Sequence, residues 1–381
     1  MSPGGPRACG ECLRRAWLVG SLAGFIETVA SREPGHRAHE LLALSDEDLT
    51  RAIAGSKADS FLSRARERVP ERLRAAVAGA RAWACCRHDQ LYPRALGDLG
   101  DPPAVLFGRG DPTLLGGLGA ADLVTVVGSR RPSGYGRELA TGLGRELGTA
   151  GLAVVSGMAM GIDSCAHRGG LEAGGLTIAV LGTGVDVPYP PRCARLYEEI
   201  VERGLVVGEL PPGTRAWRWT FPARNRIMAA LGGMTVVVEA RERSGSLITA
   251  TMAQDLGREV GAVPGRVGAS SAAGTNDLLR DGGHVIRGAE DVLDSMLGVG
   301  AGANRLRRAA RGPALEPELA RVLDLVEGGL GSADALATAS KLAPGPLAAA
   351  LVRLELTGYV RSDSAGRYER TSLAAPTEQR G

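Results

Sequence analysis

The fold of this chain is decided by residues 124–135, which read Val124-Thr-Val-Val127-Gly128-Ser-Arg-Arg-Pro-Ser133-Gly-Tyr135. This stretch joins a β-branched run to a glycine turn, and a helix-like segment, Glu138–Leu147, comes next. β-Branched residues favour strands, and a strand that leads through a glycine turn into a helix is typical of a βαβ unit. The stretch therefore predicts a parallel sheet with crossover helices.

The same pattern recurs six more times before residue 297. The further apolar runs are Leu152–Val155, Thr177–Leu181, Leu205–Val207, Met234–Val238, Glu259–Val263 and His284–Ile286. Most of them are followed by a turn with Gly or Pro and then by a helix-like segment. Continuously apolar strands are buried on both faces, so helices must cover both sides of the sheet. We expect an α/β fold with a Rossmann-like parallel sheet core over residues 96–297.

The regions on either side of this core have other patterns. Residues 7–95 are helical in pattern, with a helix-capping sequence at Ser45-Asp-Glu-Asp48, and they predict a compact domain of short helices. Residues 298–312 are rich in Gly, Ala and Arg without periodicity, which indicates a linker. Residues 313–372 predict three helices and a hairpin, so we expect a winged-helix domain there. The remaining tail is expected to be disordered.

The loops at the carboxyl ends of the strands are rich in Gly, Ser and Arg, and ligands of open parallel sheets bind at these ends. In the first loop, Gly128-Ser-Arg-Arg131 enters a helix. Backbone N–H groups, the helix dipole and guanidinium groups there all favour an anion. The candidate anion-binding residues are Gly128, Ser129, Arg130, Arg131, Ser156, Gly157, Gly161, Asp163, Phe221, Arg224, Asn225, Arg226, Gly245 and Ser246.

Each of these residues also has a purely structural interpretation. The two arginines of the first loop suit a solvated turn, and Asp163 suits a helix cap. Phe221 suits either stacking on a base or a hydrophobic staple for its helix. The run Arg224-Asn225-Arg226 places two cations at a helix start, which is unfavourable unless an anion binds. Five loops of similar character on one edge of the sheet favour an anion site.

Motifs of common nucleotide-dependent enzymes are missing from the sequence. A Gly-x-Gly-x-x-Gly fingerprint does not occur in the expected place, and neither a Walker A sequence nor a Gly-x-Ser-x-Gly elbow occurs. His167 follows Asp163 by one helical turn, which fits a helix-surface pairing better than a proton-transfer pair. We expect no catalytic residue and no cofactor, and hence a protein that is not an enzyme.

The N-terminal cysteines leave two interpretations open. Cys9-x-x-Cys12 has the spacing of a zinc ligand pair, and Cys86 and His88 offer a thiolate and an imidazole for the same ion. A second Cys-x-x-Cys pair does not occur, so free thiols in a small helical domain are the favoured alternative. We therefore expect no metal, with zinc at these four residues as the minor possibility.

Taken together, the loops resemble the DprA/Smf family of DNA-processing proteins. The resemblance rests on Ser156-Gly-x-Ala-x-Gly-Ile-Asp163, Leu181-Gly-x-Gly-x-Asp186, Phe221-Pro-x-Arg-Asn-Arg-Ile227 and Glu239-Ala-x-x-x-Ser-Gly-Ser246. It covers essentially the whole chain, and it identifies residues 7–95 as similar to a sterile-alpha-motif-like domain. One departure is Met160, where many members carry a basic or polar residue.

The resemblance implies a function without catalysis. Such proteins bind and protect incoming single-stranded DNA during natural transformation, load the recombinase RecA onto it, form homodimers through the Rossmann-like domain and need no cofactor. It also implies a DNA pocket, made of Ser129 with Arg130, the Gly157–Asp163 loop, and Phe221 with Arg224–Arg226. Arg192 stands where a basic DNA contact is common.

Two other functions compete with this interpretation. Phosphoribohydrolases similar to lysine decarboxylases share the Rossmann-like fold, but they carry a Pro-Gly-Gly-x-Gly-Thr loop where this chain has Leu231-Gly-Gly-Met-Thr-Val. A transcription regulator would act through the winged helix. The segment Pro346–Leu356, however, contains only Arg353 as a cation, which fits protein contact or a minor DNA contact better.

The composition agrees with a globular protein whose anion site is local. The 381 residues carry a formal net charge of only +3, with 44% hydrophobic and 23% charged residues, so no bulk basic field attracts nucleic acid. The sequence shows neither a signal peptide nor a run of about eighteen apolar residues. Six cysteines in a chain of this size do not indicate a disulfide framework. We expect a cytoplasmic protein without membrane contact.

Overall fold

A nine-stranded sheet forms the centre of the first of two compact units, residues 1–302 and 303–381. The computed structural model describes residues 6–32, 40–302, 305–306, 315–357, 359–362 and 366–370. The strands are β1 (Trp83–Cys86), β2 (Val105–Gly110), β3 (Leu123–Val127), β4 (Ala153–Ser156), β5 (Thr177–Leu181), β6 (Leu205–Gly208), β7 (Met234–Val237), β8 (Glu259–Ala262) and β9 (His284–Val285). Their order across the sheet is β1-β2-β6-β5-β4-β3-β7-β8-β9.

The seven strands β3 to β9 are parallel to one another, which confirms the predicted α/β architecture. Alternate residues of one strand enter different cores. Ile178 and Val180 of β5 pack in one hydrophobic cluster, whereas Ala179 and Leu181 pack in another. Every residue of β3 and β5 is buried, because helices cover both faces of the sheet.

Among the described residues of this unit, four α-helices precede the first strand, and the helices from Gly134 onward alternate with the strands as predicted. The helices are α1 (Gly10–Arg32), α2 (Asp46–Ala54), α3 (Ala58–Glu67), α4 (Pro70–Gly79), α5 (Gly134–Thr149), α6 (Ile162–Glu172), α7 (Ala194–Arg203), α8 (Thr220–Leu231), α9 (Gly245–Asp255), α10 (Ala273–Arg280) and α11 (Ala289–Leu297). Ser45 caps α2 as its sequence predicts, since its hydroxyl accepts a hydrogen bond from the Asp48 amide.

The first two strands differ from the sequence prediction. β1 lies inside the predicted helical domain, residues 7–95, but it pairs antiparallel with β2, and β2 pairs antiparallel with β6. The sheet therefore begins before residue 96. The helical region also shares its core with the sheet region. Trp219 packs among residues of α1 and donates a hydrogen bond from its indole nitrogen to the Ala23 carbonyl at 3.0 Å.

Within residues 315–357, 359–362 and 366–370, the second unit forms three helices and a hairpin, the winged-helix arrangement expected from the sequence. Its elements are α12 (Pro317–Glu327), α13 (Ala333–Ser340), α14 (Pro344–Leu356), β10 (Val360–Ser362) and β11 (Tyr368–Arg370). Fully buried side chains of Val322, Leu336, Leu354 and Tyr359 form its core.

Most of the predicted linker, 298–312, lies outside the described residues, as does the tail. Residues 301–302 and 305–306, which the linker prediction left without structure, are helical. Among the described residues, no single helix is long and apolar enough to cross a membrane. The helices α13 and α14 meet the length and composition criteria only as a pair bent by 112°.

Candidate nucleic-acid interface

The strand order changes direction at β3. Successive strands β4, β5 and β6 lie on one side of β3, while β7, β8 and β9 lie on the other. The loops that follow β3 and β7 therefore diverge at this point and leave a crevice at the carboxyl edge of the sheet. A hydrogen bond of 2.7 Å from the Ser129 amide to the Glu239 carbonyl connects the two loops.

A pocket of about 210 Å³ occupies this crevice. We call it the switch-point pocket. The predicted site residues that line it are Gly128, Arg130, Asp163, Phe221, Arg224, Asn225, Gly245 and Ser246, and further lining comes from Val127, Ala159, Pro222, Met228, Ser244, Ile248 and Thr249. The structure thus brings loops that are far apart in the sequence to one cavity.

An exposed cation and an aromatic ring form one wall of the pocket, and a second aromatic ring lies against the first. The guanidinium carbon of Arg130 lies 5.8 Å from the ring centre of Phe221, and the ring of Tyr189 lies 5.2 Å from Phe221 on a tilted plane. Both rings are partly exposed, so Phe221 is not merely a staple for its helix. Sequence reasoning missed Tyr189 as a site residue, because only the fold places its loop beside Phe221.

Arg224 forms the floor of the pocket and is almost fully buried. Its Nη1 donates to the carbonyls of Gly157 and Val180, and its Nε donates to Asn225 at 3.1 Å. A Cβ at position 157 would lie 2.1 Å from the Arg224 guanidinium, so any larger residue there would displace this side chain from its carbonyl partners. Burial lowers the pKa of Arg224 to about 10, while Asp163 opposes that change, so the guanidinium is charged at neutral pH.

Asp163 is the acidic counterpart of Arg224 in the pocket. Burial raises the pKa of its carboxyl group, although Arg224 and the backbone amide of Ala159 favour the ionised form. The Ala159 amide donates to this carboxylate at 3.2 Å. The side chain therefore holds the turn before α6, and Gly161 in that turn has a φ of +90°, which favours glycine.

The N-terminus of α9 points into the same cavity. Ser244 caps the helix and accepts a hydrogen bond from the Ser246 amide, and the hydroxyls of the two serines lie 2.7 Å apart. Gly245 is exposed, and all three residues line the pocket. A helix N-terminus carries partial positive charge and orients amide N–H groups outward, so this end of the pocket favours an anion.

The N-terminus of α5 behaves differently from the prediction. The first loop was expected to present this helix end to an anionic ligand, but the carboxylate of Glu239 already occupies it. Glu239 accepts hydrogen bonds from the amide of Ser133 at 3.2 Å and from its hydroxyl at 2.5 Å. An internal anion thus satisfies the helix dipole, and sequence reasoning missed it because Glu239 is 106 residues away from Ser133.

The structure corrects the assignment of Arg226. The guanidinium is buried, and all five of its N–H groups donate to protein oxygens. The acceptors are the carboxylate and carbonyl of Asp101, both carboxylate oxygens of Glu209 and the carbonyl of Ala223. The five N–H groups are the complete donor set of arginine, so none is available for phosphate. The prediction that Arg226 binds DNA is wrong, and the residue instead holds two loops against α8.

Six other predicted residues lie outside the pocket lining: Ser129, Arg131, Ser156, Gly157, Gly161 and Arg192. Ser156 is fully buried, and its hydroxyl donates to the Val126 carbonyl at 2.6 Å, which excludes it from ligand contact. Ser129 accepts a hydrogen bond from the Arg131 amide at 3.1 Å, which shapes the first loop. Arg131 and Arg192 are exposed and do not line the pocket.

His167 does not pair with Asp163 as expected. The ring is fully buried, and its Nδ1 lies 2.5 Å from the Thr177 hydroxyl. Burial lowers the pKa of His167 to about 3, so the imidazole is neutral. Neither a proton-transfer pair nor a helix-surface pair exists here. The candidate zinc residues Cys9, Cys12, Cys86 and His88 are also not in the pocket lining.

Comparison with known proteins identifies the family. The model of DNA recombination-mediator protein A matches residues 83–297, and the model of the DprA winged helix domain matches residues 307–366. The chain belongs to the DNA recombination-mediator protein A family. The matched sheet region contains every strand from β1 to β9, including the two that sequence reasoning left out.

Relatives and solved structures agree with this membership. Protein Smf of Synechocystis is 34% identical over 312 residues, covering 74% of this chain and 78% of the relative. The putative DNA processing protein DprA of Mycobacterium tuberculosis is 38% identical over 283 residues, covering 74% and 69%. The X-ray structure of DprA from Streptococcus pneumoniae superposes with a TM-score of 0.58 at 31% identity, covering 74% of this chain and 95% of that structure.

A further structure in the family concerns DNA directly. DprA from Helicobacter pylori superposes with a TM-score of 0.51 at 29% identity, covering 57% of this chain and 95% of that structure. Its structure is described as giving insight into a unique single-stranded DNA binding mode of that protein.

Proposed function

We propose that this protein binds single-stranded DNA in the switch-point pocket, with little preference for sequence. The observation that carries the proposal is the position of Arg130 over the ring of Phe221, with Tyr189 beside that ring and the N-terminus of α9 in the same pocket. Arg130 and the amides of α9 suit phosphate oxygens, while the two rings suit the face of any base.

The aromatic wall favours single strands over duplex DNA. In a duplex the bases are stacked on one another, so a ring on the protein surface reaches a base face only where the strand is unpaired. Arginine and backbone N–H groups read phosphate rather than base edges, which makes binding salt-sensitive and tolerant of sequence. The described single-stranded DNA binding by the H. pylori relative supports the same assignment.

The biological role that we propose is recombination mediation in the cytoplasm. Family membership supports a protein that protects incoming single strands during natural transformation and loads RecA onto them. We also propose a homodimer formed through the Rossmann-like region, and a function without catalysis. Strand-exchange assays with RecA test the loading step, and light scattering on the full chain tests the dimer.

The decisive experiment compares Arg130→Ala with wild type in titrations of single-stranded DNA. We expect lower affinity at every salt concentration, and a slope of log K against log salt reduced by about 0.7, because one phosphate contact is lost. Arg195→Ala is the matched control, since Arg195 is exposed on α7, pairs with Glu199 and does not line the pocket.

Two outcomes would contradict the proposal. Identical titration curves for Arg130→Ala and wild type at two salt concentrations would remove Arg130 from the DNA site. An equal loss in Arg195→Ala would show that any surface arginine contributes and that the pocket has no special role.

A further inference from the structure

Four metal-binding side chains meet where α1 begins and β1 ends. Cys9 precedes α1, Cys12 lies in its first turn, Cys86 is the last residue of β1, and His88 follows in the next turn. The three Sγ atoms and a ring nitrogen of His88 all lie within 4.8 Å of one another. The two segments that supply the cluster are 74 residues apart in the sequence at their nearest, from Cys12 to Cys86. The fold, rather than a local motif, therefore brings the four side chains together.

The distances within the cluster match a tetrahedral site. The Nδ1 atom of His88 lies 3.6, 3.7 and 3.8 Å from the Sγ atoms of Cys9, Cys12 and Cys86, respectively. With Zn–S bonds of about 2.3 Å and Zn–N bonds of about 2.0–2.1 Å, a tetrahedral ion separates sulfur from nitrogen by about 3.6 Å. All three Sγ to Nδ1 distances are therefore near the value that zinc requires.

The surroundings of the sulfur atoms also suit an ion. Two of the sulfur atoms accept hydrogen bonds from backbone amides. The Cys9 amide donates to the Cys86 Sγ at 3.4 Å, and the Cys12 amide donates to the Cys9 Sγ at 3.5 Å. N–H groups directed at a thiolate stabilise its negative charge and orient it toward a metal. Cys12 and Cys86 are buried, whereas His88 is exposed, so the site is covered by protein on one side and reachable from solvent on the other.

The neighbouring cysteine provides a contrast within the same strand. Cys85 faces the opposite side of the sheet and packs in the hydrophobic core with Leu106 and other apolar residues. Cys86 instead faces the cluster. In the part of the chain that the structure describes, these four residues are the only group of three or more His, Cys, Asp or Glu side chains positioned to hold a metal ion.

We propose that Cys9, Cys12, Cys86 and His88 bind one Zn²⁺ ion that joins the first helix to the edge of the sheet. Three thiolates and one imidazole fill a tetrahedral shell, which leaves no open position for water or substrate, so the ion is structural. The site is separate from the switch-point pocket and does not depend on the proposed DNA function.

The first test measures zinc in the full chain, purified without a histidine tag and without chelators. We expect about one zinc ion per chain in wild type, and clear loss in Cys12→Ser and His88→Ala. Cys165→Ser is the matched control, because Cys165 is a partly buried cysteine on α6 outside the cluster and should retain the ion. His88→Cys should also retain it, since four thiolates form an equally suitable shell.

The second test uses Co²⁺ as a spectroscopic probe in the metal-free full chain. Wild type and His88→Cys should show the intense visible bands of tetrahedral Co²⁺ together with a thiolate charge-transfer band, and His88→Ala should lose or change them. Because His88 is exposed, we expect its replacement to disturb packing less than the buried Cys12→Ser change, so the proposal remains testable if Cys12→Ser does not fold.

Three results would overturn the proposal. The first is a zinc content of wild type that is near zero and stays near zero after zinc is added under reducing conditions. The second is a Co²⁺ spectrum without a thiolate charge-transfer band. The third is a Cys9–Cys12 disulfide, found by mass spectrometry in protein kept under reducing conditions. The last result would assign the cysteines to redox chemistry instead.

Discussion

The switch-point pocket and the winged helix both present an arginine beside a helix, but they use it differently. In the pocket, Arg130 lies over an aromatic ring and forms no ion pair within the described residues. In the winged helix, Arg353 of α14 forms a bidentate pair with Glu316 at 2.8 and 3.0 Å. The comparison teaches that an arginine near a helix is a candidate for anion binding only when no carboxylate of the protein already pairs with it.

The exposed face of α14 extends this contrast. Its partly or largely exposed residues include the apolar Val352 and Leu356, four positions apart and therefore on one face of the helix. A helix that reads DNA presents cations and amides to phosphate and base edges. That α14 does not act as a basic recognition helix stays a prediction, and the exposed apolar residues on its surface support it.

The largest expected effect is on stability and concerns Arg226, whose five N–H groups all donate to protein acceptors. Arg226→Ala leaves the carboxylates of Asp101 and Glu209 without their buried partner, so we expect a loss of about 3–5 kcal/mol in the free energy of unfolding. Urea denaturation measures it, with Arg195→Ala as an exposed control. A loss below about 1 kcal/mol would contradict the structural role of Arg226 and reopen its assignment to DNA.

The next effect concerns the aromatic wall. Phe221→Ala removes the central ring of the stack, so we expect single-stranded DNA to bind about 1–3 kcal/mol more weakly, which is about 5- to 150-fold in Kd. Fluorescence anisotropy with a labelled oligonucleotide measures it. Phe221→Trp should retain most of the affinity because it keeps a stacking face, and equal weakening in both variants would point to a steric defect instead.

The smallest effect is expected in the winged helix. Arg353→Ala should change the affinity for single-stranded DNA by less than about twofold, because Glu316 neutralises this cation in wild type. The same anisotropy assay applies. Glu316→Gln removes the carboxylate that pairs with Arg353, so this variant should bind single-stranded DNA at least as tightly as wild type. A loss as large as that of Arg130→Ala would remove the distinction between the two regions.

Strong local patterns made most of the sheet predictable. The seven parallel strands were found in the sequence because β-branched, mostly apolar runs such as Thr177–Leu181 lead into turns with Gly or Pro. β1 was missed because four residues, Trp83–Cys86, carry no such signal, and their place in the sheet depends on antiparallel pairing with β2 about twenty residues later.

The candidate site was predictable by loop but not by side chain. The carboxyl ends of parallel strands lie at one edge of the sheet, so the loops were expected to meet there, and Arg130, Phe221 and Arg224 do line one pocket. Whether a given arginine is available to a ligand depends on carboxylates that are distant in the sequence and that the fold places beside it. Asp101 is 125 residues away from Arg226, and no spacing rule connects them. The same applies to Glu239, which only the fold brings to the start of α5.

Glu239 has a kinetic consequence for ligand capture. Its main-chain and side-chain oxygens hold the loop after β3 to the end of β7, so the two walls of the crevice are connected to each other without any ligand. A preorganised receptor loses little conformational entropy on association, and the ordering cost then falls on the flexible strand. If single-stranded DNA binds in this crevice as proposed, electrostatic attraction between its phosphates and the exposed arginines governs the encounter, and added salt should slow association more than it accelerates release.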